Sequence, residues 1–467
     1  MSLTVIAIIF IENPFLKEKR MGKAAESTKL EELVPITDDR RSIKLWSYIP
    51  VWWAAMIVVM IFAVGFFAIH PYGPLNVTQA IVALVLSSLF CGVLFALNAY
   101  PGYRKGVPYP VQVRSSFGVK GAKIATVIRS LPALAWLGIA TWAGGLAINA
   151  ITQKLWGFGN VWVFYLIFLV INVALALGGI KAMRGFNTVG GFVLVGIMTL
   201  TLVQVLLRGE ELSSYEAFAF EGTWGFGFWT VFAAGVACII TGALNVSDMS
   251  RHLVKSKKEG ANNWIGHIAG VAPGYAYMLL LGIFYGMAAG TPDPVAAILE
   301  LSPITAMGIV MLVFVLGAQI SSNLTLNLLP PVHALQDASP KISWKLGVII
   351  CAVVSVASCP WILFTSENYF KFMGFYSCFL GPVIGITLAD FWIVGKRKTD
   401  VDRLYNVKKG GPYWYTRGFS YAAIIALVVG AGVSLLKVEI SWMIGLPISF
   451  VIYMILGRFV GMEGRAK

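Results

Sequence analysis

The sequence predicts an all-α membrane protein of twelve transmembrane helices. Three observations predict it: a composition too apolar for a water-facing surface, apolar stretches of spanning length along the whole chain, and a one-sided placement of lysine and arginine. Of 467 residues, 58% are hydrophobic and 12% charged. Folded in water, such a chain would expose apolar patches larger than soluble monomers tolerate, so lipid is its natural solvent.

Stretches long enough to cross a hydrocarbon core occupy 46–69, 79–99, 124–151, 160–179, 187–207, 226–245, 264–289, 305–329, 345–364, 372–394, 419–436 and 440–457. The last two are separated only by Leu436 to Glu439 and read as a tight helical hairpin. With the N-terminus inside, an even number of crossings returns the C-terminus to the same side. Of the 36 Lys and Arg, only Lys154, Arg208, Lys371 and Lys437 then fall outside. The clusters Arg40-Arg41, Arg104-Lys105, Lys255-Lys257-Lys258, Lys396-Arg397-Lys398 and Lys408-Lys409 all lie beside inner helix ends. A span missed or invented mid-chain would invert every later loop and destroy this asymmetry. The net charge of +14 is thus assigned to orientation in the membrane and not to nucleic acid.

Residues 1–45 and 458–467 are read as cytoplasmic tails. The apolar run Ser2 to Ile11 is too short to span and follows no basic region, so 1–20 are expected to be dispensable, a start assigned too early or an interfacial segment. The five cysteines all fall in apolar runs without metal spacing and read as packing residues.

An enzyme within the membrane needs titratable groups gathered at depth, and this chain carries almost none there. Asp248 and Asp390 lie at inner helix ends, His70 at an outer end, His252 and His333 in inner loops, and His267 near the start of the seventh span. Phosphate-cradling and hydrolase motifs are missing from the sequence. A channel needs a polar lining along several helices, whereas the polar groups here concentrate in the eighth span. Intraspan Gly and Pro (Pro50, Gly144-Gly145, Gly235, Gly242, Gly381-Pro382) suit broken or closely packed helices, which favours a transporter.

Within Gly317 to Pro331, Ala318, Ser321, Ser322 and Thr325 recur at i, i+3, i+4 and i+7, one stripe of a helix. Hydroxyls with free backbone carbonyls offer a small cation oxygen ligands without net charge, as sodium requires. The same hydroxyls serve equally well by bonding carbonyls one turn earlier or by permitting close packing. Asn323 and Asn327 sit one turn apart, and an amide in lipid needs a partner: a ring with adjacent N–H and C=O, or another helix. In a regular helix Asn327 would point roughly 140° away from Ser322, so a distortion is expected if ion and ring share a site.

Four separated motifs, RSSFGVKGAKIATVIRSLPALAWLGIATWAGG at 114–145, NVSDMSR at 245–251, SSNLTLN in the eighth span and GFYSCFLGPVIGITLADFWIV at 374–394, resemble the nucleobase:cation symporter-1 family. The resemblance implies the leucine-transporter-type fold: inverted five-helix repeats at 46–207 and 226–394, first and sixth helices broken at mid-membrane, and two further helices at 419–457. It implies a sodium site of Ala318, Ser321 and Ser322 with backbone carbonyls near Ala54 and Ile57, although WWAAMIVVMIFAVG holds no glycine at the expected break. It implies substrate contacts at Trp136, Trp229 and Asn327, two indoles forming a slot for a flat ring. Trp136 lies midway along its span, where an interfacial belt residue does not belong. Trp229 lies near a helix start, where one does. Ala140 stands where hydantoin- and allantoin-type members carry a glutamine, which implies a roomier, less polar pocket. Asp248 and Arg251 read as an inner-gate pair one turn apart, and Gly381-Pro382 as a flexure of the tenth span over the substrate. The expectation is a monomeric cell-membrane symporter of a small planar nitrogen heterocycle, contacting only lipid otherwise and needing no organic cofactor. Sodium is the coupling ion, with a proton on His267 as the alternative.

Overall fold

The computed structural model describes residues 34–178, 215–302, 304–339 and 341–460, with a few positions between 196 and 207. Residues 1–33 of the expected tail 1–45, residues 461–467 of the expected tail 458–467, and most of the span 187–207 lie outside the described residues. The rest is helix and connection, without a β-strand among the described residues.

The first span is two helices, α1 (Leu45–Met56) and α2 (Val59–Phe66). Then follow α3 (Val77–Lys105), α4 (Gly121–Trp156), α5 (Val161–Gly178), α6 (Phe226–Leu244) and α7 (Ala261–Ala288). The eighth span is α8 (Thr305–Ser322), a π-helical segment (Asn323–Leu328) and α9 (Leu329–Ala338). α10 (Trp344–Ala357), α11 (Tyr369–Leu388) with a second π segment (Ala389–Val394), α12 (Tyr421–Ser434) and α13 (Ser441–Val460) complete the chain. Among the described residues, six helices are long and apolar enough to cross a membrane: α3, α4, α6, α7, Tyr369–Val394 and Val438–Arg458. Local chemistry sets their ends. Asn76 and Gln79 form a reciprocal capping box at the start of α3, and Gly106 ends it at φ 71°, a conformation that costs glycine little.

The packing centre is α7, which touches α1, α2 and α3 along its length. Backbones meet there: a Cβ on Gly65 of α2 would lie 1.9 Å from Leu279 O, and one on Gly282 of α7 would lie 2.0 Å from Phe62 O. Such closeness holds helices together where lipid offers no hydrophobic drive. A second contact joins α11 to α13, where a Cβ on Gly381 would lie 2.9 Å from Trp442 Cα and Pro382 packs on Gly445. In this conformation Gly381-Pro382 therefore serve close packing, and α11 runs through them without interruption.

Two expectations about helix breaks divide. The first span breaks at Ile57-Val58, with Val58 extended at φ −138° and ψ 146°. Its signal is the β-branched run Ile57-Val58-Val59, whose side chains crowd a helical turn. The sixth span does not break at mid-depth: α6 is continuous, and the chain leaves helical geometry only at Asn245. Gly235 there permits close approach to Ser87 of α3, while Trp442 Nε1 and Tyr376 Oη bond the carbonyls of Ala233 and Ala237 on a ladder that stays intact.

Candidate functional site

At the break in the first span, the Val58 N–H, which a continuous helix would give to the carbonyl of residue 54, donates to Met56 O at 3.0 Å. The Ile61 N–H likewise goes to Val58 O at 3.1 Å instead of the carbonyl of Ile57. The interruption thus turns the usual helical donors away from the carbonyls of Ala54 and Ile57. Backbone at membrane depth is released in this way where it faces protein or a polar site.

Two residues past the break, Met60 O accepts from Tyr369 Oη at 2.7 Å. The Tyr369 ring meets Trp136 of α4 edge-on at 5.9 Å between centroids, and Phe372 and Tyr376 meet the same indole at 5.4 and 6.3 Å. Tyr376 Oη in turn bonds Ala237 O of α6 at 2.7 Å. The first two turns of α11 therefore tie the broken first span, α4 and α6 around Trp136. Ala140, buried one turn further on the same face of α4, adds no polar group. Trp229 stands apart in this conformation. It is 46% exposed at the start of α6, with its ring against Phe228 and Phe232, so the two indoles do not face each other across a slot here.

Ala318, Ser321 and Ser322 occupy the last turns of α8, directly before the π segment. A π turn accommodates one residue more than an α turn, so later positions rotate back by about one residue. Position 327 then stands about 40° from position 322 instead of the 140° of a regular helix. The distortion that a shared site demands is thus present at Asn323–Leu328. Asn323 is fully buried. Its Nδ2 donates to Thr141 Oγ1 at 3.3 Å and to Asn172 Oδ1 at 3.4 Å, and its Oδ1 accepts from Asn327 Nδ2 at 3.2 Å. Leu137, Leu324 and Leu328, near these residues along the same helices, are themselves buried in one apolar cluster. Neither Thr141 nor Asn172 was singled out from the sequence. Asn172 had a readable signal as a lone amide in the apolar run VWVFYLIFLVINVALALG.

Past the end of α6 the expected Asp248–Arg251 pair does not form. The Asp248 carboxylate accepts from Tyr109 N at 2.8 Å and Asn245 Nδ2 at 3.4 Å, while Arg251 reaches Val34 O at 3.5 Å. The one-turn helix Ser247–Ser250 aims Asp248 at the loop preceding α4, so the spacing of three misleads. Burial pushes the Asp248 carboxyl above its ordinary range, against the pull of Arg251 and Arg129. Arg129 Nη2 donates to Asn245 Oδ1 at 3.1 Å. Asp390, on the second π segment, accepts from Ser115 Oγ and Tyr453 Oη, each at 2.7 Å, joining the loop before α4 to α13. His267 Nδ1 faces Asn263 O at 2.7 Å and Nε2 faces Tyr48 Oη at 2.8 Å. A carbonyl can only accept, so Nδ1 carries a proton, and in the neutral ring Nε2 then accepts from the tyrosine, satisfying both nitrogens.

A family model described as permease for cytosine/purines, uracil, thiamine, allantoin matches residues 35–461. The allantoin permease of Bacillus subtilis is 28% identical, over 95% of this chain and 96% of its own length. The inward-facing conformation of Mhp1 superposes with a TM-score of 0.82 at 27% identity, covering 92% of this chain and 94% of that one. Mhp1 in a closed conformation with bromovinylhydantoin bound, a nucleobase-cation-symport-1 family transporter, gives 0.76 at 27% identity over 92% and 96%.

Proposed function

Since the chain belongs to the nucleobase:cation symporter-1 family of permeases, a transporter and not an enzyme, we propose that it carries a planar nitrogen heterocycle of the hydantoin, allantoin or nucleobase kind together with sodium. The ring stacks on Trp136 and bonds Asn327, and Trp229 closes over it when α6 moves inward. Sodium is held by the carbonyls of Ala54 and Ile57 with Ala318, Ser321 and Ser322. Ten crossings in two inverted five-helix repeats, 46–207 and 226–394, two further helices at 419–457, and both termini on the cytoplasmic side of a cell membrane complete the proposal.

The observation that carries this proposal is the break at Ile57-Val58. It turns donors from the two carbonyls that the ion needs, within one tyrosine of the Trp136 ring. The π segment that rotates Asn327 toward the ion-side face of the eighth span supports a single shared site. The bromovinylhydantoin of the related closed structure supports a flat ring as cargo. His267 favours sodium over a proton, because taking one would reverse its bond to Tyr48.

The test is substrate affinity across a sodium titration for wild type, Ser321→Ala, Ser322→Ala and Thr325→Ala. Coupling is reciprocal, so loss of an ion ligand weakens substrate binding at fixed sodium and recovers at higher sodium. The two serine variants are expected to shift and Thr325→Ala to follow wild type. Four superimposable curves would remove the sodium site, and a wild-type curve flat in sodium but steep in pH would replace sodium by a proton.

A further inference from the structure

We infer that Thr141, Asn172 and Asn323 are positioning residues that fix which way the Asn327 carboxamide faces, and so require the cargo to present a ring N–H to it. The inference rests on the reading of Asn327 as a substrate contact and adds the polarity of that contact.

Two main-chain carbonyls start the argument, because a carbonyl has no alternative to accepting. Asn172 Nδ2 donates to Phe168 O at 2.8 Å, which turns Asn172 Oδ1 toward the eighth span. Thr141 Oγ1 spends its only proton on Leu137 O at 2.6 Å, which leaves its lone pairs facing the same point. Both groups meeting Asn323 are therefore acceptors. The amide edge that Asn323 turns to them must be Nδ2, at 3.3 and 3.4 Å. Its other edge, Oδ1, is then committed to accepting, and Asn327 answers with Nδ2 at 3.2 Å. The outer atom of Asn327 is consequently Oδ1.

An unsupported amide rotates by half a turn and serves a donor or an acceptor equally. This one does not, because reversing Asn327 would set Oδ1 against Oδ1, and reversing Asn323 would set its oxygen against two others. Thr141, Asn172 and Asn323 are all buried, where water offers no substitute partner. Asn327 alone in the group is partly exposed, so the relay opens at that end. With Ala140 adding no amide of its own, this one acceptor sets a larger share of the selectivity.

The experiment measures ligand-induced thermal stabilisation of the purified full-length protein by hydantoin, uracil and their mono-N-methyl derivatives. One N-methyl position is expected to weaken binding to wild type by about 10- to 100-fold, the cost of leaving a buried acceptor unpaired. In Thr141→Val/Asn172→Leu the relay loses both anchors, and the ratio between parent ring and methyl derivative should fall toward one. A merely structural role would instead lower both affinities in parallel. Thr141→Ser keeps the hydroxyl, and its ratio should equal that of wild type. An unchanged ratio in the double variant, with Asn327→Ala still weakening the parent ring, overturns the relay alone. Unchanged binding of the parent ring to Asn327→Ala overturns the substrate contact and the relay with it, as does wild type binding neither parent ring. Equal wild-type affinity for a parent ring and all its methyl derivatives overturns the relay.

Discussion

Replacing Gly65 by alanine tests whether the backbone contact between α2 and α7 holds the broken first span in its working position. The added Cβ would sit 1.9 Å from Leu279 O and 2.9 Å from Ile283 N, where real Cβ contacts essentially never fall below 3.0 Å. The opposing atoms are main chain of α7 and have no rotamer through which to retreat. α2 must therefore withdraw by at least about 1 Å, a strain of the overpacking kind that costs about 1–3 kcal/mol. Because α2 begins at the break, the withdrawal also carries the carbonyl of Ile57 away from the proposed ion. Gly65→Ala should lower the thermal midpoint and move the sodium dependence of substrate binding to higher sodium. Gly282→Ala, whose Cβ would meet Phe62 O at 2.0 Å, should do the same. One outward movement of α2 relieves both clashes, so the double variant should cost less than the two single effects added. Gly432 of α12 has no atom within 4 Å of the added Cβ, and its alanine variant should be neutral or stabilising by up to about 1 kcal/mol. A Gly65→Ala protein matching wild type in midpoint and sodium titration would refute the reasoning.

Trp136→Ala should weaken binding of a hydantoin or nucleobase ring by about 1–3 kcal/mol, read by ligand-induced thermal shift, and unchanged binding would return Trp136 to a packing role. Ala140→Gln restores an amide beside that indole and should move preference toward hydantoin- or allantoin-like rings, and an unmoved ranking across the panel would deny the pocket reading. Asp390→Ala and Tyr453→Phe both remove the bond from Tyr453 Oη to Asp390, at about 1–3 kcal/mol each, and combining them should add little to the larger single effect in thermal unfolding. Burial beside Arg251 and Arg41 holds the His252 imidazole down at about 4, below its ordinary 6.5. The folded protein therefore binds fewer protons than the unfolded chain between those values, and this contribution to stability is lost as pH falls through that window, by no more than about 3 kcal/mol. Asp248, raised by burial, acts with the opposite sign. The comparison is accordingly between wild type and His252→Asn across pH, and parallel curves would count against it.

The sequence by itself determined that the chain is helical and membrane-embedded, because apolar length and charge asymmetry answer directly to bilayer thickness and to orientation during insertion. It also named Trp136 and the polar face of the eighth span through local spacing and motif. What it left open depended on contacts between residues far apart in the chain. The break at Ile57-Val58 has no glycine or proline to mark it. It is held by α7, whose glycines let the two half-helices approach main chain to main chain more than 200 positions away. The spacing of Asp248 and Arg251 suggested a pair that the structure does not make, because a loop N–H at Tyr109 reaches the carboxylate first. Asn323 and Asn327 were visible as amides in lipid, yet their polarity was not. A carboxamide is nearly symmetric in shape, and only Thr141 and Asn172, anchored on carbonyls of two other helices, decide which end is the acceptor.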